Sequence, residues 1–505
     1  MNILKRVIFI FLFFIINLFA LDLNDLKEMP KSIERDFYIW QYLNQVDTSK
    51  EEAIEAAKLI YRVNSKLQKA FKAKTSLNLQ RRKYFVSKKS KERYNLILKK
   101  LKKEKNLFEA WLKLNPKDRL LFFNLAGRVN RKLLNKEFND TSYLELTNYY
   151  AINEFINRAF RENLTSIKDK ILNTRPTVKN KITYNNLLKL GFYNLKRDQA
   201  KLASYFFYSA MLKAKSRFDA DRTLFWLYLS SNKEKFLKKL ANSYDFNIYK
   251  LIALDFLNQP YPMPKIENID NIKSDKSINN PIDWARLKQK IFSKNINLYA
   301  LAKEYKSKES AAVYYYILAK ASRYKNQYFP ILYKEYLKDY SIHRQALILA
   351  IARQESHFIP YAISSSFALG MMQFMPFLIK DIAKKRGEDI SLEDIFKPKK
   401  SIEYANFHLN YLEKYLYHPL FVAYAYNAGI GYTRRMLRKK LFKEGAYEPY
   451  LSMELMDNKQ ANHYGKKVLA NYVIYRMLLG SPIRVTSLIN QLTKEELTDR
   501  FRIQK

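Results

Sequence analysis

The chain has 505 residues, with 91 Lys and Arg against 48 Asp and Glu, a formal net charge of +43, and no Cys. That length permits roughly three domains of usual size. The lack of Cys excludes a disulfide framework and a lipoprotein anchor. Five scattered His argue against a structural zinc site, and no phosphate-cradling glycine loop appears, so neither a metal nor a cofactor is expected.

The first stretch, MNILKRVIFIFLFFIINLFA, has a basic start at Lys5 and Arg6, a short apolar run and a small residue at its end. This describes a secretory signal peptide over 1–20. The uninterrupted apolar core, Val7 to Ile16, is too short to favour a stable membrane span, although an uncleaved anchor is the alternative reading. The mature protein is therefore expected to be exported, periplasmic and without a stable membrane span.

From 21 to 258 the composition points to helix. Seven of the nine glycines lie after position 365, and alternation of period two is rare. Ala203, Phe206, Phe207 and Ala210 fall at i, i+3, i+4 and i+7, the apolar stripe of a helix. A succession of helices with short polar joints packs naturally as stacked pairs in an α-superhelical solenoid. The densest basic segment, Arg81 to Lys105, suits an anionic polymer or a solvated helix face. Nucleic acid is not expected as a partner, because no zinc-finger or RNA-recognition spacing is present and the leader points out of the cytoplasm.

Prolines at 260, 262 and 264 forbid a regular helix, and the polar run after them marks a boundary. We read 259–327 as a linker and a small helical linker domain, with two or three helices between Asp283 and about Asn326. A last domain spans 328–505.

The chemistry concentrates in that last domain. Ser341 is a plausible N-cap for a helix of about fifteen residues. Ile348, Ile351, Ala352 and Glu355 share one stripe, so Glu355 extends an apolar face. A carboxylate on such a face has its pKa raised and can serve as a general acid. The alternative is a solvated Glu355, or one salt-bridged to Arg353. No Asp or Glu occurs from Ser356 to Lys380, nor from Lys414 to Lys443, so neither glycine-bearing stretch offers Glu355 a carboxylate partner.

The wording of the stretch adds to this. Glu355-Ser356, Ser364, Gly370-Met371-Met372-Gln373 and Met375-Pro376, followed by Ala425-Tyr426-Asn427-Ala428-Gly429, resemble the motifs of the soluble lytic murein transglycosylases. The resemblance is specific over about Tyr328 to Gly480. It implies an all-α chain, with an α-superhelical region ahead of a goose-lysozyme-like catalytic domain. It further implies non-hydrolytic cleavage of the β-1,4 bond between N-acetylmuramic acid and N-acetylglucosamine. Glu355 would be the single acid and base, and the sugar's own 6-hydroxyl would close a 1,6-anhydro ring. A hydrolytic muramidase on the same scaffold and a non-catalytic wall-binding scaffold are the alternatives.

By motif position, Ser364 and Gln373 would hydrogen-bond the sugar and Met372 would offer it an apolar contact. Asn427 would orient an acetamido group or Glu355, and Tyr426 would pack behind Asn427 or bear on substrate. Ser364 could instead cap a turn, and Met371 and Met372 could be core. Glu454 and Tyr464 match part of a last motif and would complete the substrate contacts. The pattern departs at Phe367, where a glycine is usual, and at Ser401, Ala405, His408, Asp457, Asn458 and Asn462. The implied partners are peptidoglycan glycan strands, with other cell-wall enzymes as further candidates.

Overall fold

The computed structural model describes residues 21–503 apart from 80–86, 268, 270, 271, 273, 275 and 440. The expected leader at 1–20 and residues 81–86 of the basic run lie outside the described residues. The protein is all-helical, and its only extended pairings among the described residues are isolated bridges such as Ile363 with Leu369 and Leu369 with Phe374.

The abundant asparagines and the prolines explain much of this. Asn64, Asn106, Asn115, Asn139, Asn247, Asn280 and Asn297 are N-caps whose side chains accept backbone N–H groups of the first turn. Pro116, Pro281, Pro376, Pro398 and Pro419 open helices, where a missing N–H costs nothing. The polar joints read from the sequence are thus helix starts.

Two compact units divide the chain. One gathers Met1–Arg82, Met263–Ile430 and Lys467–Ile483; the other gathers Lys83–Pro262, Gly431–Lys466 and Arg484–Lys505. One cut falls inside the proline-rich run, between Pro262 and Met263. The division departs from the sequence reading elsewhere, since the N-terminal helices cluster with 263–430 and the C-terminal region is shared between units.

In the second unit the helices stack in chain order. Tyr184–Leu195 packs on Ala200–Met211, which packs on Arg217–Ser231, followed by Glu234–Ala241 and Ile248–Phe256. The stripe of Ala203, Phe206, Phe207 and Ala210 is buried as expected. Gly191 permits the closest crossing: a Cβ there would stand 2.4 Å from the Phe207 ring.

The first unit holds the three linker helices, Pro281–Ile291, Leu298–Glu304 and Ala311–Ala321. Pro281–Ile291 packs against the N-terminal helix Ile33–Tyr42, where Lys288 pairs with the buried Glu34. A carboxylate without surface exposure needs such a partner. This requirement ties the N-terminal helices to 263–430, and periodicity could not reveal it.

Candidate active site

The helix Ile342–Ser356 begins at Ser341, whose Oγ accepts the Arg344 N–H at 3.3 Å, and ends where His357 turns into the left-handed region at φ +54°. Every residue from Ala346 to Ala352 is buried, so the helix is covered on all sides there. The stripe that singled out Glu355 therefore discriminates less than its spacing suggested. Glu355 lies in the last turn and is half-buried.

Beyond His357 the chain makes a set of tight turns, sewn to the helix by side chains. Ser356 Oγ donates to the Met371 carbonyl at 2.8 Å. Gly370 has φ +74°, and a Cβ there would come within 2.7 Å of the Ile395 carbonyl oxygen. Gln373, itself at φ +53°, donates through Nε2 to the carbonyls of Ala362 at 3.1 Å and Gly370 at 2.8 Å. Ser364 Oγ accepts the N–H groups of Ala368 at 2.9 Å and Ser366 at 3.3 Å, so this hydroxyl does cap its turn.

Tyr426, in the helix Pro419–Ala428, completes the arrangement. Its hydroxyl donates to the Met372 carbonyl at 2.9 Å. Burial pushes that hydroxyl's pKa far up, and the nearby negative charge of Glu355 pushes it further. The two side chains are therefore electrostatic neighbours, with the tyrosine held neutral. Its ring meets His408 at 5.6 Å and Phe374 at 6.2 Å. Burial lowers the His408 pKa to about 4, so a neutral imidazole backs the tyrosine. Asn427 follows in the same helical turn and is half-buried. Gly429 ends the helix at φ +84°, ψ 148°, a conformation almost reserved for glycine.

Three sequence expectations change. Met372 has no exposed surface, so its side chain is core and only its carbonyl serves the site; an apolar contact with sugar does not fit this burial. Glu454 and Tyr464 belong to the second unit and are buried there. The Glu454 carboxylate takes hydrogen bonds from Arg222, from Lys466 at 2.6 Å, from the Tyr249 hydroxyl at 2.6 Å and from Trp226 at 3.2 Å. Desolvation opposes its charge, but the Arg222 and Lys466 cations outweigh it and hold its pKa well below the usual carboxylate range. A carboxylate so enclosed binds its own unit together.

The outer support of the loop was not legible in the sequence. Phe367, at φ +60° and without exposed surface, lies 5.8 Å from the rings of both Phe37 and Trp40. Asn64 Nδ2 donates to the Ser365 carbonyl at 3.1 Å and Lys66 Nζ to that of Ser366 at 2.7 Å. The N-terminal helices thus grip the turn that carries Ser364. The one available signal was Phe367 standing where glycine is usual: a strained aromatic requires a cage.

Residues 332–448 match the family described as the transglycosylase SLT domain. A Haemophilus influenzae protein of the soluble lytic murein transglycosylase type is 33% identical over 172 residues, 32% of this chain and 28% of its own length. The soluble lytic murein transglycosylase of Escherichia coli is 29% identical over 158 residues, covering 30% and 24% of the two chains. The chain thus spans about a quarter of the length of these relatives. Among solved structures, the lytic transglycosylase Slt of Pseudomonas aeruginosa is 17% identical, with a TM-score of 0.48 over 89% of this chain and 76% of that one. Residues 332–448 thus carry a transglycosylase SLT domain, and over part of its length the chain is similar to soluble lytic murein transglycosylases.

Proposed function

We propose that the chain is a lytic transglycosylase of peptidoglycan, cleaving the β-1,4 bond between N-acetylmuramic acid and N-acetylglucosamine without water. The observation that carries this reading is the half-buried Glu355 beside the buried Tyr426 hydroxyl, which is itself fixed to the Met372 carbonyl. Glu355 gives its proton to the glycosidic oxygen as the bond from the anomeric carbon breaks. The carboxylate so formed takes the proton of the muramic acid 6-hydroxyl, whose oxygen bonds to the anomeric carbon. Glu355 is thereby protonated again, and the products are a 1,6-anhydro end and a free 4-hydroxyl on the other sugar.

Gln373 spends its amide hydrogens on two backbone carbonyls, which leaves Oε1 as the acceptor for a sugar hydroxyl or amide. Asn427 orients the acetamido group, and Ser364 shapes the turn beside the sugar. Glu454 and Tyr464 are assigned to packing. The leader at 1–20 exports the protein to the periplasm, where peptidoglycan lies. No helix among the described residues is long and apolar enough to cross a membrane.

The test is mass spectrometry of peptidoglycan digested by the purified protein. Anhydro-muramic ends are expected; reducing muramic ends alone would mean a hydrolase, and intact glycan would leave a binding scaffold.

A further inference from the structure

The second unit contains a cavity of about 350 Å³ that the proposed reaction does not use. Its wall is one face of the helix Tyr184–Leu195, carrying Asn185, Lys189, Phe192 and Tyr193, opposite Lys459 and Asn462. The size lies within the small-ligand range of about 300–1,000 Å³, enough for a sugar ring or a dipeptide but not for a glycan strand.

Its charges are unbalanced. The two acids of the lining are already committed, Glu454 to its cluster with Arg222 and Lys466, and Asp457 to the Tyr432 hydroxyl at 2.6 Å and Lys439 at 3.0 Å. Among the described residues no carboxylate pairs with Lys189 or Lys459. Lys189 lies over the rings of Phe160 at 5.2 Å and Tyr193 at 5.6 Å. Burial lowers its pKa, and the positive charge of Lys459 lowers it further, so the two ammonium groups repel each other across the cavity. An anion between them would relieve both costs.

Among the remaining polar groups of the lining, which include His463 and the Tyr193 hydroxyl, four are amides: Asn157, Asn185, Asn186 and Asn462. Asn185 is exposed at the wall, whereas Asn462 is 3% exposed, donates Nδ2 to the Met453 carbonyl and has no partner for Oδ1. Amide side chains both donate and accept, which suits a ligand bearing amides of its own. The aromatic faces of Phe192 and Tyr193 supply apolar wall.

We propose that this cavity is a second binding site, taking a small N-acylated carboxylate such as the peptide-bearing end of a muramic acid; naming that fragment rests on the function proposed above. The peptide is either attached to the wall or part of a released fragment, and the two differ in what binds.

The experiment uses the full chain carrying E355Q, titrated by calorimetry with N-acetylmuramoyl-L-alanyl-D-isoglutamine, and with neutral chitotriose as control. K189Q together with K459Q should weaken the acidic ligand at least tenfold and leave chitotriose unchanged. N185D, at an exposed position safe for folding, should also weaken it. Retention on purified sacculi separates the sources: a parallel loss points to the attached peptide, and unchanged retention to the released fragment. Equal affinity with and without the two lysines, or an equal loss for chitotriose, overturns the site. Separately, wild-type protein that cleaves no glycan while the lysines still govern ligand binding would sink the enzymatic reading and leave the cavity assignment standing.

Discussion

Tyr426 is the residue through which the two glycine-bearing motifs meet, because its hydroxyl joins one to the carbonyl of the other beside Glu355. Removing only that oxygen, Tyr426→Phe, leaves the ring against His408 and Phe374 but orphans a buried carbonyl. A cost of about 1–3 kcal/mol is expected. If half of it falls on the geometry around Glu355, turnover drops about two- to tenfold. Thermal melts and steady-state rates on soluble glycan check both, and a variant with unchanged rate would separate the tyrosine from the chemistry. Glu454 should behave in the opposite way. Glu454→Gln leaves Arg222 and Lys466 facing each other in a buried place, costing about 3–5 kcal/mol. Activity per folded molecule should persist, and a loss of activity without a loss of stability would restore it as a substrate contact. Glu355, Gln373 and Tyr426 stand out in the sequence because each sits inside a long motif, and their part in the reaction is the proposal made above. Met372 and Glu454 were misassigned, since whether a side chain faces a cleft or a core depends on partners distant in the chain, such as Arg222.

At the scale of elements, the turn holding Ser364 is maintained from outside by the helices Ile33–Tyr42 and Ser65–Thr75. Phe367 adopts a conformation that costs an aromatic residue of order 1–3 kcal/mol, offset by its ring contacts and by the bonds from Asn64 and Lys66. Lys66 is half-buried, and burial lowers its pKa, so its bond to Ser366 replaces lost hydration. Lys66→Met keeps the apolar stem and removes that bond. The expected result is a loss of about 1 kcal/mol in stability together with faster hydrogen exchange confined to residues around 364–369. Exchange unchanged there would mean that the N-terminal helices merely lie against the turn. Nothing in local periodicity could announce this grip, because it joins segments about 300 residues apart.

Over the whole molecule, the helical class was readable because apolar residues recur at helical spacing, as at 203–210, period-two alternation is rare and glycines are withheld until late. The grouping into units was not, since it follows buried ion pairs such as Glu34 with Lys288. The acid response of the fold depends on a similar balance. Burial lowers the pKa of His357 to about 3 and of His408 to about 4, below the ordinary value of 6.5. The unfolded chain therefore binds their protons first, and stability falls as pH drops from about 6.5 toward 4. Asp36 acts in the opposite sense: burial raises its pKa to about 6, so its contribution improves as pH falls from 6 toward 4. Burial raises Asp221 and Glu448 as well, but carboxylates held down by cations, such as Glu454 and Glu388, act in the same sense as the two imidazoles, and the net slope should favour neutral pH. Denaturant melts between pH 4 and 7 should show the loss, and His357→Asn with His408→Phe should flatten it; an unaltered slope would place the acid sensitivity elsewhere.

In the proposed reaction Glu355 alone both donates and recovers the proton while the sugar closes on itself. The decisive experiment is the mass spectrum of glycan treated with wild-type protein and with Glu355→Gln in parallel. Anhydro-muramic ends are expected from the first and none from the second, with the variant folded by circular dichroism. Anhydro ends made by the variant at the wild-type rate, or only reducing ends made by the wild type, would rule that chemistry out.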